Sequence, residues 1–327
     1  MARVAVVFTG GTISMRLDPV AGGNVPALDG TAILARTPGL AGIADVVAIE
    51  HGLTPASHFT FADVRAIGEV VRSALADPAI DGVVVVQGTD TIEETSFAWD
   101  LLLASYKPVV VTGAMRAPHE DDDDGPRNVR DAVTVAASPH ASASGVTVVL
   151  GGTIESADDV QKTHTSALNT FRSPNQGSLG WVGEGRVAWE QPRGPRRHVA
   201  TDHASDRVHL ITAGLGTDGA LLDAALAAGA DGIVVAATGA GNTHPGLLAA
   251  AERAIRTGIP VVLASRCPAG AVGTAYAFPG GGATWVRATA IPAGTLCAIK
   301  ARVALALGLG AGLSRDDLAR MLADPLP

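Results

Sequence analysis

The sequence is poor in cysteine, lysine and aromatic residues, and each shortage excludes something. Two cysteines in 327 residues, Cys267 and Cys297, cannot supply a disulfide framework. They lie far apart, without metal-ligand spacing, and are expected to stay reduced. The nine histidines form no zinc pattern, so no metal is expected. Aromatic residues are 4% of the chain. Its core must therefore come from small and branched aliphatic side chains, as parallel sheets often do. The formal net charge is −8, and the short basic stretch Arg193-Gly194-Pro195-Arg196-Arg197 reads as a solvated linker. A nucleic-acid surface is thereby excluded. No apolar run reaches bilayer-spanning length. Arg3–Phe8 runs straight into a glycine turn, with no signal-peptide cleavage pattern. A cytoplasmic protein that stays off membranes is expected. There are no internal repeats, low-complexity tails or coiled-coil heptads.

Lysine is the most informative shortage. Of 24 Lys and Arg residues only Lys107, Lys162 and Lys300 are lysine. A lysine kept where the composition defaults to arginine is a candidate for what arginine cannot do, which is to lose its proton in a buried site.

What is present is a globular α/β pattern. Apolar residues make up 47% and charged residues 17%, and the length allows two domains with sizeable cores. Strand-like runs near 3–8, 45–50, 82–87, 108–112 and 145–150 alternate with helical patterns near 61–77, 91–104 and 124–137. That alternation predicts βαβ units with right-handed crossovers. A stretch without periodicity follows. A second series has strands at 208–212, 232–237 and 260–264, and helices at 218–228, 245–257, 295–308 and 314–324. The expected architecture is α/β in two domains. A larger N-terminal domain with a mostly parallel sheet flanked by helices spans 1–190, a linker 191–207, and a smaller C-terminal α/β domain 208–327.

Three stretches carry candidate chemistry. Val83–Val86 reads as a strand buried on both faces, and it ends at Gln87-Gly88-Thr89-Asp90. Thr91-Ile92-Glu93-Glu94 then looks like a capping box. Hydroxyls and a carboxylate thus sit where a strand meets a helix, the usual ligand position in open α/β sheets. A plain helix cap is the competing reading. Thr9-Gly10-Gly11-Thr12-Ile13 follows the first strand. It lacks the third glycine of a dinucleotide fingerprint and the Lys of a P-loop, and Thr12 could be an exposed nucleophile. A hydroxyl nucleophile needs a base. No histidine is an evident partner, whereas Lys162, in Gln161-Lys162-Thr163-His164-Thr165, could accept a Thr proton with Asp90 fixing the amine. A surface lysine beside two threonines is the competing reading.

These stretches resemble the two signatures of bacterial-type L-asparaginases. Thr9–Ile13 is similar to the first and Gln87–Thr95 to the second, which is highly specific. Support extends through Lys107–Arg116, Asp124-Gly125-Pro126-Arg127-Asn128, Phe171–Pro174, Gly239–Asn242, Ser265–Gly270 and Ala293–Arg302. The resemblance implies hydrolysis of a side-chain amide through an acyl-enzyme on Thr, without metal or organic cofactor. It implies Thr12 as primary nucleophile and Thr89, Asp90 and Lys162 as a second catalytic group. Gly11, Gly88, Thr89, Asp90 and Ala114 would line the substrate, and the backbone near Thr89 and Ala114 would hold its carbonyl. Ser57 matches a substrate-carboxylate loop, with His58 where Gln is common. Asn242 matches a residue donated by a neighbouring subunit, implying a homo-oligomer, a dimer or tetramer of intimate dimers.

Two departures stand out. The segment Ser14–Pro26 carries no Tyr, although its Gly22-Gly23 pair suggests a mobile lid, and no acidic residue lies between Cys267 and Trp285, where relatives supply a Glu. An L-asparaginase is the leading expectation. A related amidase or glutaminase with another small amide substrate, and a non-catalytic aspartate or asparagine sensor, are the alternatives.

Overall fold

A computed structural model of the chain describes residues 1–323; Asp324, the last residue of the expected helix 314–324, lies outside them. The chain divides into two compact units, Met1–Arg196 and the residues from Arg197 onward.

The first unit runs β1 (Ala2–Phe8), the pair β2 (Met15–Asp18) and β3 (Gly23–Pro26), α1 (Gly30–Ala35), β4 (Ala44–Glu50), α2 (Phe61–Ala76), β5 (Gly82–Val86), α3 (Ile92–Leu102), β6 (Val109–Thr112) and α4 (Gly125–Ala136). It continues with β7 (Val146–Leu150), β8 (Thr153–Ser156), the short β9 (Gln161–Lys162) and β10 (Phe171–Arg172), then β11 (Gly180–Gly183) and β12 (Arg186–Trp189). Eight strands form one sheet in the order β12-β11-β8-β7-β6-β5-β1-β4. Strands β4, β1, β5, β6 and β7 are parallel, whereas β8, β11 and β12 extend the sheet antiparallel.

Val83 to Val86 are fully buried. Successive strand residues face opposite sides. Val84 and Val86 share a core with Val4, Val6 and Val110 and with Val129, Ala132 and Val133 of α4. Helix α2 covers the strand from the other side with Ile67 and Val71 buried. Each such Val or Ile contributes roughly 1.5–3 kcal/mol by burial, so the strand end beyond Val86 rests on a rigid base.

Two local expectations change, and the stretch after the first Thr loop gains a defined structure. The capping box at Thr91–Glu94 does not form. Thr91 caps α3 without a side-chain bond, because its hydroxyl donates sideways to the Ala56 carbonyl at 3.2 Å. The box sits instead on α2, where Thr60 and Asp63 bond reciprocally. The stretch 15–26 is a β-hairpin pairing Met15 with Pro26 through Asp18 with Gly23. The basic stretch is not a wholly solvated linker, although Gly194 and Pro195 are exposed. The Arg193 and Asp100 side chains are each 2% exposed and pair at 2.6 Å, with Arg196 adding a 3.1 Å contact to the same carboxylate. An ion pair this deep forms only through contacts nearly a hundred residues apart, which local composition does not reveal.

The second unit is β13 (Val208–Thr212), α5 (Ala220–Ala227), β14 (Gly232–Ala237), α6 (Pro245–Arg256), β15 (Val261–Ser265), α7 (Gly282–Arg287), β16 (Ile291–Pro292), α8 (Ala298–Gly310) and α9 (Arg315–Leu322). Its four strands are parallel in the order β13-β14-β15-β16. Ile233, Val235, Leu247, Ala251, Leu263 and Trp285 lie in its core. Among the described residues no helix is long and apolar enough to cross a membrane.

Candidate active site

Strand order locates the site. The chain leaves β1 toward β4 on one side, and β5 lies on the other. Connections diverge there, which opens a crevice at the carboxyl ends of β1 and β5. The two Thr-bearing loops occupy those ends.

The first loop begins at Thr9, whose N–H and hydroxyl both donate to Val86 O, at 3.0 and 3.1 Å. Gly11 has φ 99° and ψ −175°, a region essentially reserved for glycine. It also leaves no room for a side chain: a Cβ would lie 2.3 Å from Gly88 N and 2.4 Å from Gly88 Cα. The loops therefore touch backbone to backbone. Thr12, half-buried, opens a short 3-10 turn just past this contact.

The second loop is fixed from several sides. Buried Gln87 donates to Gly88 O at 3.1 Å and accepts from the Thr95 hydroxyl at 2.9 Å. Gly88 has ordinary backbone angles but abuts Ala56, whose Cβ lies 2.9 Å from where a Gly88 Cβ would stand. That contact, with the Thr91–Ala56 bond, brings in the turn Ala56–His58, where Ser57 and His58 are exposed. Gly113 is equally close, its absent Cβ 2.4 Å from Gln87 O and 3.3 Å from Thr89 Cγ2. Ala114, next to it, is fully buried.

Lys162 reaches this place from β9. Its Nζ donates to Thr89 Oγ1 and to Asp90 Oδ1, both at 2.9 Å. The lysine side chain is 16% exposed and the Asp90 side chain 64%, so the carboxylate keeps an open side for a ligand. The lysine is held by its own hairpin. Lys162 pairs with buried Phe171, Thr163 N donates to Thr170 O, and His164 Nδ1 accepts from Ser166 N and Ala167 N. His164 is thus occupied locally.

The first unit accordingly brings Gly11, Thr12, Ser57, His58, Gly88, Thr89, Asp90, Ala114 and Lys162 to neighbouring loops. Asn242 belongs to the second unit. Its backbone bridges to Thr238, and its side-chain oxygen is buried without a hydrogen-bond partner among the described residues. Sequence reasoning passed over Gly113, Asp124 and Asn128 as parts of this surround. Asn128 holds Gly113 O, and Asp124 holds two amides of the turn after Ala114. The run Asp-Gly-Pro-x-Asn was the available signal.

The arrangement offers two hydroxyls, an amine and a carboxylate in one crevice, with glycines admitting a close ligand. Comparisons identify its setting. The family described as asparaginase, N-terminal matches residues 3–194, and the glutaminase/asparaginase C-terminal domain matches 207–322. A probable L-asparaginase of Deinococcus radiodurans is 38% identical, over 98% of this chain and 97% of that one. The L-asparaginase of Bacillus licheniformis is 32% identical over 85% of this chain and 86% of its own. The crystal structure of a probable cytoplasmic L-asparaginase from Campylobacter jejuni superposes with a TM-score of 0.88 at 28% identity, covering 98% of this chain and 99% of that one. With both family regions and near full-length relatives matched, this chain belongs to the asparaginase family of amide hydrolases.

Proposed function

We propose that the chain hydrolyses L-asparagine to L-aspartate and ammonia through an ester on Thr12. The Thr12 hydroxyl attacks the carboxamide carbon, the C–N bond breaks, and the nitrogen leaves as ammonia with the hydroxyl proton. Water then cleaves the ester. Thr89 activates that water by passing its own proton to Lys162 in its amine form, and Asp90 stabilises the ammonium produced. Asp90 also meets the substrate's α-ammonium on its open side. Backbone N–H groups near Thr89 and Ala114 stabilise the developing oxyanion, and Ser57 and His58 border the carboxylate end. We further propose a cytoplasmic homo-oligomer in which a second copy presents Asn242.

One observation carries the reading: Lys162 Nζ lies 2.9 Å from both Thr89 Oγ1 and Asp90 Oδ1, beside the contact of the two Thr loops. The names of the relatives support asparagine as substrate. Ammonia release from asparagine should fall by orders of magnitude in Thr12→Ala, Thr89→Val and Lys162→Met; wild-type rates in all three would sink the mechanism. A second reading, a related small amide as substrate, is favoured by the hairpin 15–26, which carries no Tyr, and by the stretch 267–285, which carries no acid. A panel of amides, glutamine included, separates the two.

A further inference from the structure

The mechanism leaves the start of α4 unused, yet Asp124 and Asn128 bond the turn 113–116 that packs on the Thr89 loop, and Gly125 packs on Ile13 of the Thr12 loop. Asp124 occupies the N-cap position, but its carboxylate makes no bond to its own helix backbone. It turns outward instead, with Oδ1 accepting from Met115 N at 3.0 Å and Arg116 N at 2.9 Å. Asn128 is fully buried. Its Nδ2 donates to Gly113 O at 3.0 Å and Asp124 Oδ2 at 2.8 Å, and its Oδ1 accepts from Gly151 N at 3.1 Å. The turn 113–116 is thus held by its carbonyl before Ala114 and by its amides after it. Gly113 transmits that position to Gln87 and Thr89 through the close packing already described.

The same helix start touches the other loop. A Cβ on Gly125 would lie 2.9 Å from Ile13 Cγ1 and 3.1 Å from Ile13 Cδ1, and Ile13 adjoins Thr12. Pro126 in the first helical turn stiffens this start, since its ring fixes φ and its missing N–H is not needed there.

We propose that Asp124, Gly125 and Asn128 are positioning residues that set the separation of Thr12 from the Thr89 and Ala114 loops. The inference rests on the amidohydrolase reading of that site. The two Thr loops already meet at Gly11 and Gly88, and a rigid helix start that is bonded to the turn 113–116 and packed on Ile13 braces them from a second side. Chemistry at a carbonyl is steep in their separation, with about 1 Å of misplacement worth around a hundredfold in rate.

The test uses the full chain, ammonia release from asparagine, and thermal unfolding. Asn128→Ala is expected to lower kcat by about 30-fold or more with KM within about threefold. Gly125→Ala adds a methyl that meets side-chain atoms of Ile13 and the Asp123 carboxylate, so it folds even where Asn128→Ala does not. It should lower kcat by about tenfold, and adding Ile13→Ala, which removes both the Cγ1 and Cδ1 atoms it meets, should recover at least about threefold. The proposal is overturned by a kcat that follows only the folded fraction, by a rise in KM with kcat intact, or by no recovery in the Gly125→Ala/Ile13→Ala pair. A wild-type chain that releases ammonia from no amide in the panel fails the amidohydrolase reading itself, and the proposal with it.

Discussion

Replacing Gly11 with alanine tests how tightly the two Thr loops must meet. The φ of 99° with ψ near 180° costs an L-residue about 1–3 kcal/mol. The larger effect is steric. The added Cβ would stand 2.3 Å from Gly88 N and 2.4 Å from Gly88 Cα. These are backbone atoms and cannot swing aside as a side-chain tip would. Ordinary contact begins at 3.4 Å, so the loops must part by about 1 Å, and overpacking adds roughly 1–3 kcal/mol. Thr12 and Thr89 move apart with them. We expect kcat/KM for asparagine to fall about a hundredfold, with a melting temperature lower by on the order of 5–10 °C. Gly39→Ala is the control. Gly39 also has positive φ, at 86°, but a Cβ there meets nothing within 4 Å. It should lose stability and keep its kinetic constants. A Gly11→Ala enzyme within about threefold of wild-type kcat/KM would refute the reasoning, since a shift of that size at the reacting groups cannot be silent.

Two other outcomes follow from buried charges. Asp100→Ala leaves the Arg193 guanidinium, 2% exposed, without its main partner. Chemical denaturation should show a loss of about 3–5 kcal/mol, and Asp100→Leu with Arg193→Met should recover most of it; a loss below about 1 kcal/mol contradicts the pair's role. Burial raises the Asp131 carboxyl above its ordinary 3.8, against the opposing pull of Arg127 and Arg130. The folded state therefore holds that proton more tightly than the unfolded chain. The resulting stability is present below the ordinary value and is lost as pH rises through the raised one. Asp131→Asn should thus raise the melting temperature relative to wild type more at pH 7 than at pH 4, and the reverse order would show that the Arg partners dominate.

The elements that sequence patterning revealed are those whose cause is local. Four consecutive valines buried on both faces specify β5, and a glycine pair after β1 marks a turn open to a ligand. Lys162 drew notice because lysine is scarce, yet its bonds to Thr89 and Asp90 span more than seventy residues, which no spacing rule supplies. What stayed hidden depends on distant partners. The Thr91 hydroxyl serves Ala56 rather than its own helix, because the Ala56–His58 turn lies within its reach. The Arg193 side chain is buried because Asp100 waits on α3. Strands β11 and β12 are short, β11 pairing antiparallel with β8 and β12 antiparallel with β11, and at four residues each, Gly-Trp-Val-Gly and Arg-Val-Ala-Trp, they carry no strong polar–apolar alternation. The asymmetric use of Asp124, an N-cap in sequence and a loop anchor in space, is of the same kind.

The most direct test of the central claim is the mass of the enzyme during turnover. Lys162→Met should slow cleavage of the ester more than its formation, because Lys162 serves the water-activating step. Mixed with asparagine and quenched in acid, that variant should gain the mass of asparagine less ammonia, and proteolysis should place the addition on the peptide containing Thr12. One equivalent of ammonia should accompany it. An adduct on Thr89, or stoichiometric ammonia release with Thr12 unmodified throughout, would contradict the account.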